Sequence, residues 1–424
     1  MKGWSLKRDW SALDKECLTF GEADNRCEVF RESEGGLLVP RAYEDFAHPD
    51  ASASLGGAIE STLAPINLRD EQVPAVEAVI RSLSDKGRGA ILFAPCGKGK
   101  TVMGLEMIRR LGRKALVLVH KSFLVDQWVE RATTFLPDAK VGLWQRDSLP
   151  QGDEDIVIGM VQSIVNPKRE YPDEIYDMFG ALVADETHRY AAPMWQEAIS
   201  RFGAAYRIGL TATPERKDGL QEVFYSHIGP IVYWMDGHKR LPTIWRVTTS
   251  LRYKPSQYTM YNGQVNTSKL VTMVSKERAR TERMVNFALR ALRKGRKVLI
   301  LSERVAHTKE MCELLKTQLE GSDLTADLYI GGMKQERRDE ASEADVICGT
   351  YAMAQEGLDI PRLDTLILAT PKTSITQSVG RILRDAPDKK DPVVVDFVDE
   401  CIPILSAYWG ARKKIYIKEG YKFV

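Results

Sequence analysis

Cysteine and histidine are scarce in this sequence. Six of each stand among 424 residues, and the cysteines fall at 17, 27, 96, 312, 348 and 401. No Cys-x-x-Cys pair occurs, so neither a zinc site nor a disulfide framework is expected. Long apolar runs are missing as well: nothing approaches the ~20 residues of a membrane span. The opening stretch, Met1 to Asp9, holds no apolar signal core. An intracellular protein with no membrane partner is expected. A strong overall charge is also absent, the net being +2. Its distribution is uneven. Residues 1–60 hold 7 Lys/Arg against 12 Asp/Glu, a net of −5, which leaves +7 for residues 61–424. The larger part is compatible with a polyanion, and the acidic start is a poor grip for one.

What the sequence does have is one stretch that organises the rest, Ala94-Pro95-Cys96-Gly97-Lys98-Gly99-Lys100-Thr101. The apolar run Ala90–Phe93 leads in and the helix-like run Val102–Ile108 leads out. Strand, tight loop and helix N-terminus together make a phosphate cradle, since loop amides and the positive end of the helix dipole both face an anion. Gly97 and Gly99 let the backbone approach the ligand with no Cβ in the way. Lys98 belongs to the same loop. Lys100 is placed to meet the β- and γ-phosphates of ATP, and Thr101 to put its hydroxyl on Mg²⁺. The general pattern begins with Gly, where this chain has Ala94. The bland alternative is a glycine-rich turn, with Cys96 a small neutral filler.

Alternation of helices and short apolar strands begins at Leu68. Val73–Ser84 has the spacing of a helix, and strands are expected at 90–93, 115–119, 155–159, 181–184 and 206–210. This rhythm predicts a parallel sheet covered on both faces. Residues 236–280 break it with aromatics and Pro242 and read as a connection with an insertion. It restarts with helices over 281–292 and 306–319 and strands at 297–301, 327–330, 345–348, 364–369 and 392–397. The expected fold class is α/β, with two parallel-sheet domains over 61–235 and 281–424. A small β-containing module precedes them over 1–60. There, Cys27–Phe30 and Leu37–Pro40 flank Glu32–Gly36 as in a hairpin. Ala51–Ala58, small and glycine-bearing, reads as a flexible linker.

Ala181-Leu182-Val183-Ala184 runs into Asp185-Glu186-Thr187-His188. A carboxylate at the end of a strand beside a phosphate loop is where Mg²⁺ is held, so Asp185 is assigned to the metal through water. Glu186 would orient and deprotonate the attacking water. Exposed loop acids are the alternative for such a pair standing alone. Thr211-Ala212-Thr213-Pro214 ends another strand in two hydroxyls, which by itself reads equally as a capped turn. Arg381 and Arg384 lie three apart on one helix face, as surface charge or as arginine fingers for the γ-phosphate.

In order, these segments resemble the motifs of superfamily 2 helicases and translocases. Ala94–Thr101 is similar to motif I, Asp185–His188 to motif II in its DExH form, Thr211–Thr213 to motif III and Gln377–Arg384 to motif VI. Val117–Trp128 resembles motif Ia, Met160–Ser163 the TxxQS-type segment and Gly349–Pro361 motif V. Leu68–Gln72 resembles the segment that meets the adenine, which implies nucleotide contacts from Arg69 and Gln72, with Gln377 joining from motif VI. The resemblance covers about residues 66–400. It implies two RecA-like domains with an ATP cleft between them. Within the superfamily the sequence looks most like XPB-type and UvsW-like phage DNA helicases, on Thr213–Gly219, Phe224 and Ile228–Tyr233. The XPB-type Arg-Glu-Asp element stands here as Arg216-Lys217-Asp218, a departure that bears on strand separation and leaves the ATPase untouched.

The resemblance implies a nucleic-acid track carrying Gln162, Ser163, Arg304 and Thr350, where hydroxyls and helix N-termini suit phosphate contacts. Each has an ordinary cap or surface role as its alternative. Trp144, Trp195 and Trp234 read as core packing or as base-stacking surfaces, and Lys334–Arg338 as solvated helix. The expected partner is DNA, branched or duplex with single-stranded regions, RNA–DNA hybrids included. A protein partner is expected to dock, if anywhere, on residues 1–60. An RNA-directed helicase, or a motor subunit with its nuclease on another chain, is the alternative. Cytoplasmic location follows, in the host if the source is a phage.

Overall fold

The computed structural model describes residues 4–7, 18–20, 27–33, 36–40, 42, 53–86, 89–213, 218, 220–236, 241–356, 358, 360–384, 386 and 388–424. The chain divides into two compact units, Met1–Gly237 and His238–Val424. Each is built on a seven-stranded sheet in which every recorded pair of neighbours is parallel.

In the first sheet the order is Ile231–Trp234, Gly89–Phe93, Tyr206–Thr211, Ala181–Asp185, Ala115–Val119, Ile156–Met160 and Val141–Trp144. Alternate residues of each strand feed opposite cores, as the period of two requires. Leu116 and Leu118 join one apolar cluster, with Leu182 and Ala184; Ala115, Val117 and Val119 join the other, with Ala181 and Val183. Both faces are therefore covered. The strands ending at Phe93, Thr211 and Asp185 are consecutive in the sheet, so the loops that carry the motif segments emerge side by side.

In the second sheet the order is Ala326–Tyr329, Val346–Thr350, Val298–Ser302, Thr365–Leu368, Val393–Val398, Thr243–Thr248 and Lys422–Phe423. Its core is pinned by two buried ion pairs. Arg280 forks onto Asp399 at 3.0 and 3.1 Å, and Arg412 onto Asp396 at 2.8 and 2.9 Å, with the Tyr416 hydroxyl donating to Asp396 as well. Bidentate geometry satisfies charges that would otherwise be costly to bury.

Three features differ from the sequence reading. Residues 236–280 are more than a connection: Thr243–Thr248 is a strand of the second sheet, and Thr267–Ser275 and part of Arg278–Arg293 are helices of the second unit. The N-terminal stretch is not a separate module in its packing. Leu18, Val29, Leu37 and Val39 are fully buried in the same cluster as Leu182 and Trp195, because the antiparallel strands Gly36–Pro40 and Arg31–Ser33 present an apolar face. Arg31–Ser33 pairs with Gly36–Leu38, and Cys27–Glu28 pairs instead with Thr19–Phe20. The supposed flexible linker, over its described part, is a tied strap. Ser54 exchanges backbone hydrogen bonds with Gly203 and Ala205, and Gly57 with Met178 and Lys114. Gly56 has φ +54°, and a Cβ there would meet the Gly180 nitrogen at 2.2 Å. Small residues at 53–58 therefore serve close approach, which in sequence looks the same as flexibility. Arg216 and Lys217 of the Arg-Glu-Asp-like element lie outside the described residues, as do Ala51 and Ser52.

Candidate functional site

Gly97 and Gly99 both adopt left-handed φ, +86° and +80°, a conformation that costs other residues ~1 kcal/mol or more. The turn lifts the chain from strand Gly89–Phe93 into helix Lys100–Leu111 with Gly99 at its N-cap. The helix N-terminus is left with its amide donors uncapped by any side chain, as an anion site requires. A Cβ on Gly99 would come within 2.4 Å of Gln72 Nε2 and 3.0 Å of an Arg69 guanidinium nitrogen. Arg69, Gln72 and the loop are therefore one assembly. Gln72 Nε2 donates to the Lys98 carbonyl at 2.8 Å, and its Oε1 accepts from the Arg69 amide at 3.0 Å. Lys98 is buried and pairs with Glu71 at 2.7 Å, so it braces the loop. Glu71 stood in the adenine-type segment of the sequence, but its pairing with Lys98 has no local signal. Lys100 Nζ donates to the Ala94 carbonyl at 3.2 Å, folded back over the loop that it would leave for a phosphate.

Asp185 ends its strand buried, 7 % exposed. Trp128 Nε1 donates to its Oδ2 at 3.0 Å and the Glu186 amide to its Oδ1 at 2.9 Å. Burial, then the neighbouring Glu186 charge, pushes its carboxyl up to about 6, against the pull of Trp128 and Lys100. The influence of Lys100 puts the loop lysine and the strand carboxylate in one electrostatic site. Hydroxyl and carboxylate oxygens from Thr101 and Asp185 are a hard donor set of the kind Mg²⁺ takes.

Among the described residues, Glu186 is one of three non-glycines with positive φ, +51°, and its Oε2 is buried with no hydrogen-bond partner. An orphaned carboxylate oxygen beside the phosphate loop fits a group that receives a water's proton. His188 Nδ1 lies 3.5 Å from that oxygen, 2.9 Å from Thr213 Oγ1 and 3.4 Å from Thr211 Oγ1. The Thr213 amide in turn donates to Thr211 Oγ1 at 3.1 Å. The two hydroxyls that read as a capped turn thus meet His188, whose ring lies beside Glu186.

The proposed nucleic-acid residues are engaged within the protein. Gln162 Nε2 donates to the His120 carbonyl at 2.9 Å, and Ser163 Oγ accepts from the Arg146 amide at 3.1 Å. Arg304 donates to Thr272 Oγ1 at 3.0 Å and to Ser268 O at 2.8 Å, pinning helix Thr267–Ser275. Thr350 is buried, and its Oγ1 lies 3.4 Å from the Met353 amide at the start of helix Tyr351–Glu356. Arg381, half-buried with Gln377 and Arg384, donates from Nε to the Ala354 carbonyl, joining two of the motif segments of the second unit. Trp144 and Trp195 are core residues. Trp234 is 57 % exposed and its ring lies tilted by 42° against Phe93, centroids 4.8 Å apart, beside the phosphate loop.

Two family descriptions match this architecture: "Type III restriction enzyme, res subunit" over residues 65–216 and "Helicase conserved C-terminal domain" over 279–386. A mimivirus protein of Acanthamoeba polyphaga, "Putative ATP-dependent RNA helicase L396", is 32% identical over 359 residues, 84% of this chain and 68% of that protein. The chain belongs to the superfamily 2 helicases. "Putative helicase 055L" of Frog virus 3 is 28% identical over 97% of this chain and 90% of its own length. "Probable helicase D10" of Escherichia phage T5 is 24% identical over 86% and 79%. Among solved structures, the DNA-bound Type ISP restriction-modification enzyme LlaBIII matches with a TM-score of 0.55 at 18% identity, over 78% of this chain. A fragment of a putative HsdR subunit from Vibrio vulnificus matches with 0.55 at 21%, also over 78%. This helicase spans 28% of the LlaBIII chain and 65% of the HsdR fragment. The two sheets are RecA-like domains, and family membership implies an ATP-driven motor. Among the described residues no helix is long and apolar enough to cross a membrane.

Proposed function

We propose that this helicase is a DNA-dependent ATPase that translocates on DNA and remodels duplexes, branched DNA or R-loops in the cytoplasm. The observation that supports it most is the placement of His188, which lies beside Glu186 and meets Thr211 and Thr213. A link of this kind lets the state of the nucleotide be felt one strand away. In this reading Lys100 and Thr101 hold the phosphates, Thr101 and Asp185 hold Mg²⁺, and Arg69, Gln72 and Gln377 meet the nucleotide. Bound Mg²⁺ neutralises charge on the phosphoryl group being transferred. Glu186 orients the attacking water and takes its proton. Arg381 and Arg384 act as fingers, which requires the second unit to approach the nucleotide. Gln162, Ser163, Arg304 and Thr350 contact the strand, Arg304 by leaving Ser268 and Thr272.

DNA is favoured by the resemblance of 213–233 to XPB-type and UvsW-like segments. The mimivirus relative, whose printed name is an RNA helicase, favours RNA as the second reading. ATP hydrolysis measured without nucleic acid, then with single-stranded DNA, branched DNA, R-loops and RNA at matched salt, separates them. Stimulation greatest with branched DNA or R-loops is the expected result; stimulation by RNA alone transfers the assignment. Glu186→Gln supplies the background. It is expected to bind ATP normally and lower turnover by at least about 10²-fold, and full turnover in that variant would remove Glu186 from its role.

A further inference from the structure

A parallel sheet in an α/β unit is covered on both faces, and the second sheet departs from this at one flank. Strand Thr243–Thr248 runs parallel to Val393–Val398, with Thr243 opposite Val393 and Trp245 opposite Val395. Opposite residues share a face, so Trp245 lies on the side covered by helices Arg278–Arg293 and Val305–Leu319. Those helices pack against the strands at 298–302, 326–329, 346–350 and 365–368; at Thr243–Thr248 helix Arg278–Arg293 meets Val247 in one apolar cluster and Arg283 donates to the Thr248 carbonyl at 2.8 Å. Trp245 is 39 % exposed although its strand neighbours Ile244 and Val247 are buried.

The uncovered flank forms a groove of about 490 Å³. Trp245, Phe287, Val393 and Val395 are among the residues that line it. Arg290, Arg293, Lys294 and Arg296 line it too, and among the described residues no carboxylate does. Arg296 is paired with Asp364 at 3.3 Å. Arg290, which lies over the Phe287 ring at 6.0 Å, Arg293 and Lys294 are exposed, and among the described residues no carboxylate pairs with them. Lys390 adds a fifth cation by donating to the Lys294 carbonyl. Arg293 and Lys294 complement the helix C-terminus here, but a dipole of about half a charge does not call for this many cations. Thr365, Val393 and Arg296 stand at or just before the starts of their strands. The motif residues Thr350 and Arg304 follow strand ends, where α/β sheets take their ligands. The groove therefore lies at the other end of the sheet from the motor chemistry.

We infer that this groove docks an acidic peptide segment of a partner protein, one carrying an aromatic or aliphatic anchor. The charge is complementary to such a peptide, and the volume suits two or three side chains. A nucleic-acid strand is the less favoured occupant. Apart from the Thr365 hydroxyl its backbone would be met only by the cations, with Val393, Val395 and Ala291 between them in place of further hydroxyls or side-chain amides.

The test uses the full chain and a fluorescently labelled acidic peptide bearing Leu and Phe one helical turn apart. The same peptide with both anchors changed to Ser is the control, and a single-stranded DNA oligonucleotide is run in parallel. The anchored peptide is expected to bind, more weakly as salt rises, and the control not to bind. Trp245→Ala, and Arg293→Glu with Lys294→Glu, should each weaken the peptide about tenfold or more, while Trp245→Phe retains it and ATPase activity is unchanged in all three. The charge variants are on exposed positions and decide the matter even if Trp245→Ala fails to fold. Peptide binding that is absent, or indifferent to these changes, overturns the proposal. Loss of DNA binding in the charge variants with peptide binding unaffected makes the groove a nucleic-acid surface. Self-association relieved by Trp245→Ala makes it an interface between copies.

Discussion

Asp185 is held in place by a residue that no motif pattern assigns to it. Its carboxyl is buried, and the Trp128 indole is the side-chain donor that offsets that burial. Trp128→Phe keeps an aromatic ring but removes the N–H donor together with part of the bicyclic ring, leaving a small cavity beside the unmet acceptor. It is expected to destabilise the first unit by about 1–3 kcal/mol, the cost of an unmet buried acceptor, as read by urea unfolding. The same change should lower kcat several-fold with KM for ATP little altered, because the loop's phosphate donors are untouched. The residues proposed for the ATP site stand out in the sequence because each lies within a short contiguous segment: Gly97 to Thr101, Asp185 to His188. Trp128 was visible as the last residue of the segment that resembles motif Ia, with nothing to tie it to Asp185. Its bond spans 57 residues and exists because strand Ala115–Val119 pairs with Ala181–Asp185. The pairing of Lys98 with Glu71 was hidden for the same reason. In the nucleic-acid set, residue type alone could not tell that Arg304 clamps a helix; an arginine after a strand reads the same whether it faces phosphate or Ser268.

Strands that are apolar throughout announce themselves, because a two-sided core demands apolar residues at every position. Ala115–Val119, Ala181–Asp185, Val298–Ser302 and Val346–Thr350 are all of this kind and are buried along their length. Val141–Trp144 and Thr243–Thr248 lie toward the margins of their sheets, are only partly covered, and escape that pattern. Edge strands carry the signal of their environment, which is mixed. Helix Arg278–Arg293 was legible by its spacing, yet its deepest link is not apolar: Arg280 is 4 % exposed and joins the helix to Asp399 and the Ala369 carbonyl. Asp399→Ala strands this guanidinium in the core and is expected to cost about 3–5 kcal/mol. Replacing Arg280 and Asp399 together by Met and Leu should cost distinctly less. Thermal unfolding of the three proteins checks this, and equal losses in the single and double variants would mean that the pair's charge is not what matters.

At the scale of the molecule the question is what residues 1–52 are for. A detachable accessory module could be removed without loss to the motor, changing only what the motor acts on. The packing argues otherwise. Leu18, Val29, Leu37 and Val39 are each wholly buried against the first unit's own core, and Arg31 bonds Glu197 at 2.7 Å. Four such side chains correspond to roughly 6–12 kcal/mol of burial as an upper bound, comparable with the whole stability of a domain. Even half of that, lost from one side, would leave Trp195 and its neighbours facing water. Deletion of residues 1–52 is therefore expected to give an aggregated or strongly destabilised first unit. The second unit, with its own two clusters around strands 298–302 and 365–368, should fold as residues 241–424 alone and show no ATP hydrolysis. Urea unfolding of the full chain, the deletion and that fragment checks both expectations. If the deletion unfolds at the same urea concentration as the full chain, the N-terminal strands are an accessory after all, and the excess of acid in the sequence of residues 1–60 would then be there for a partner.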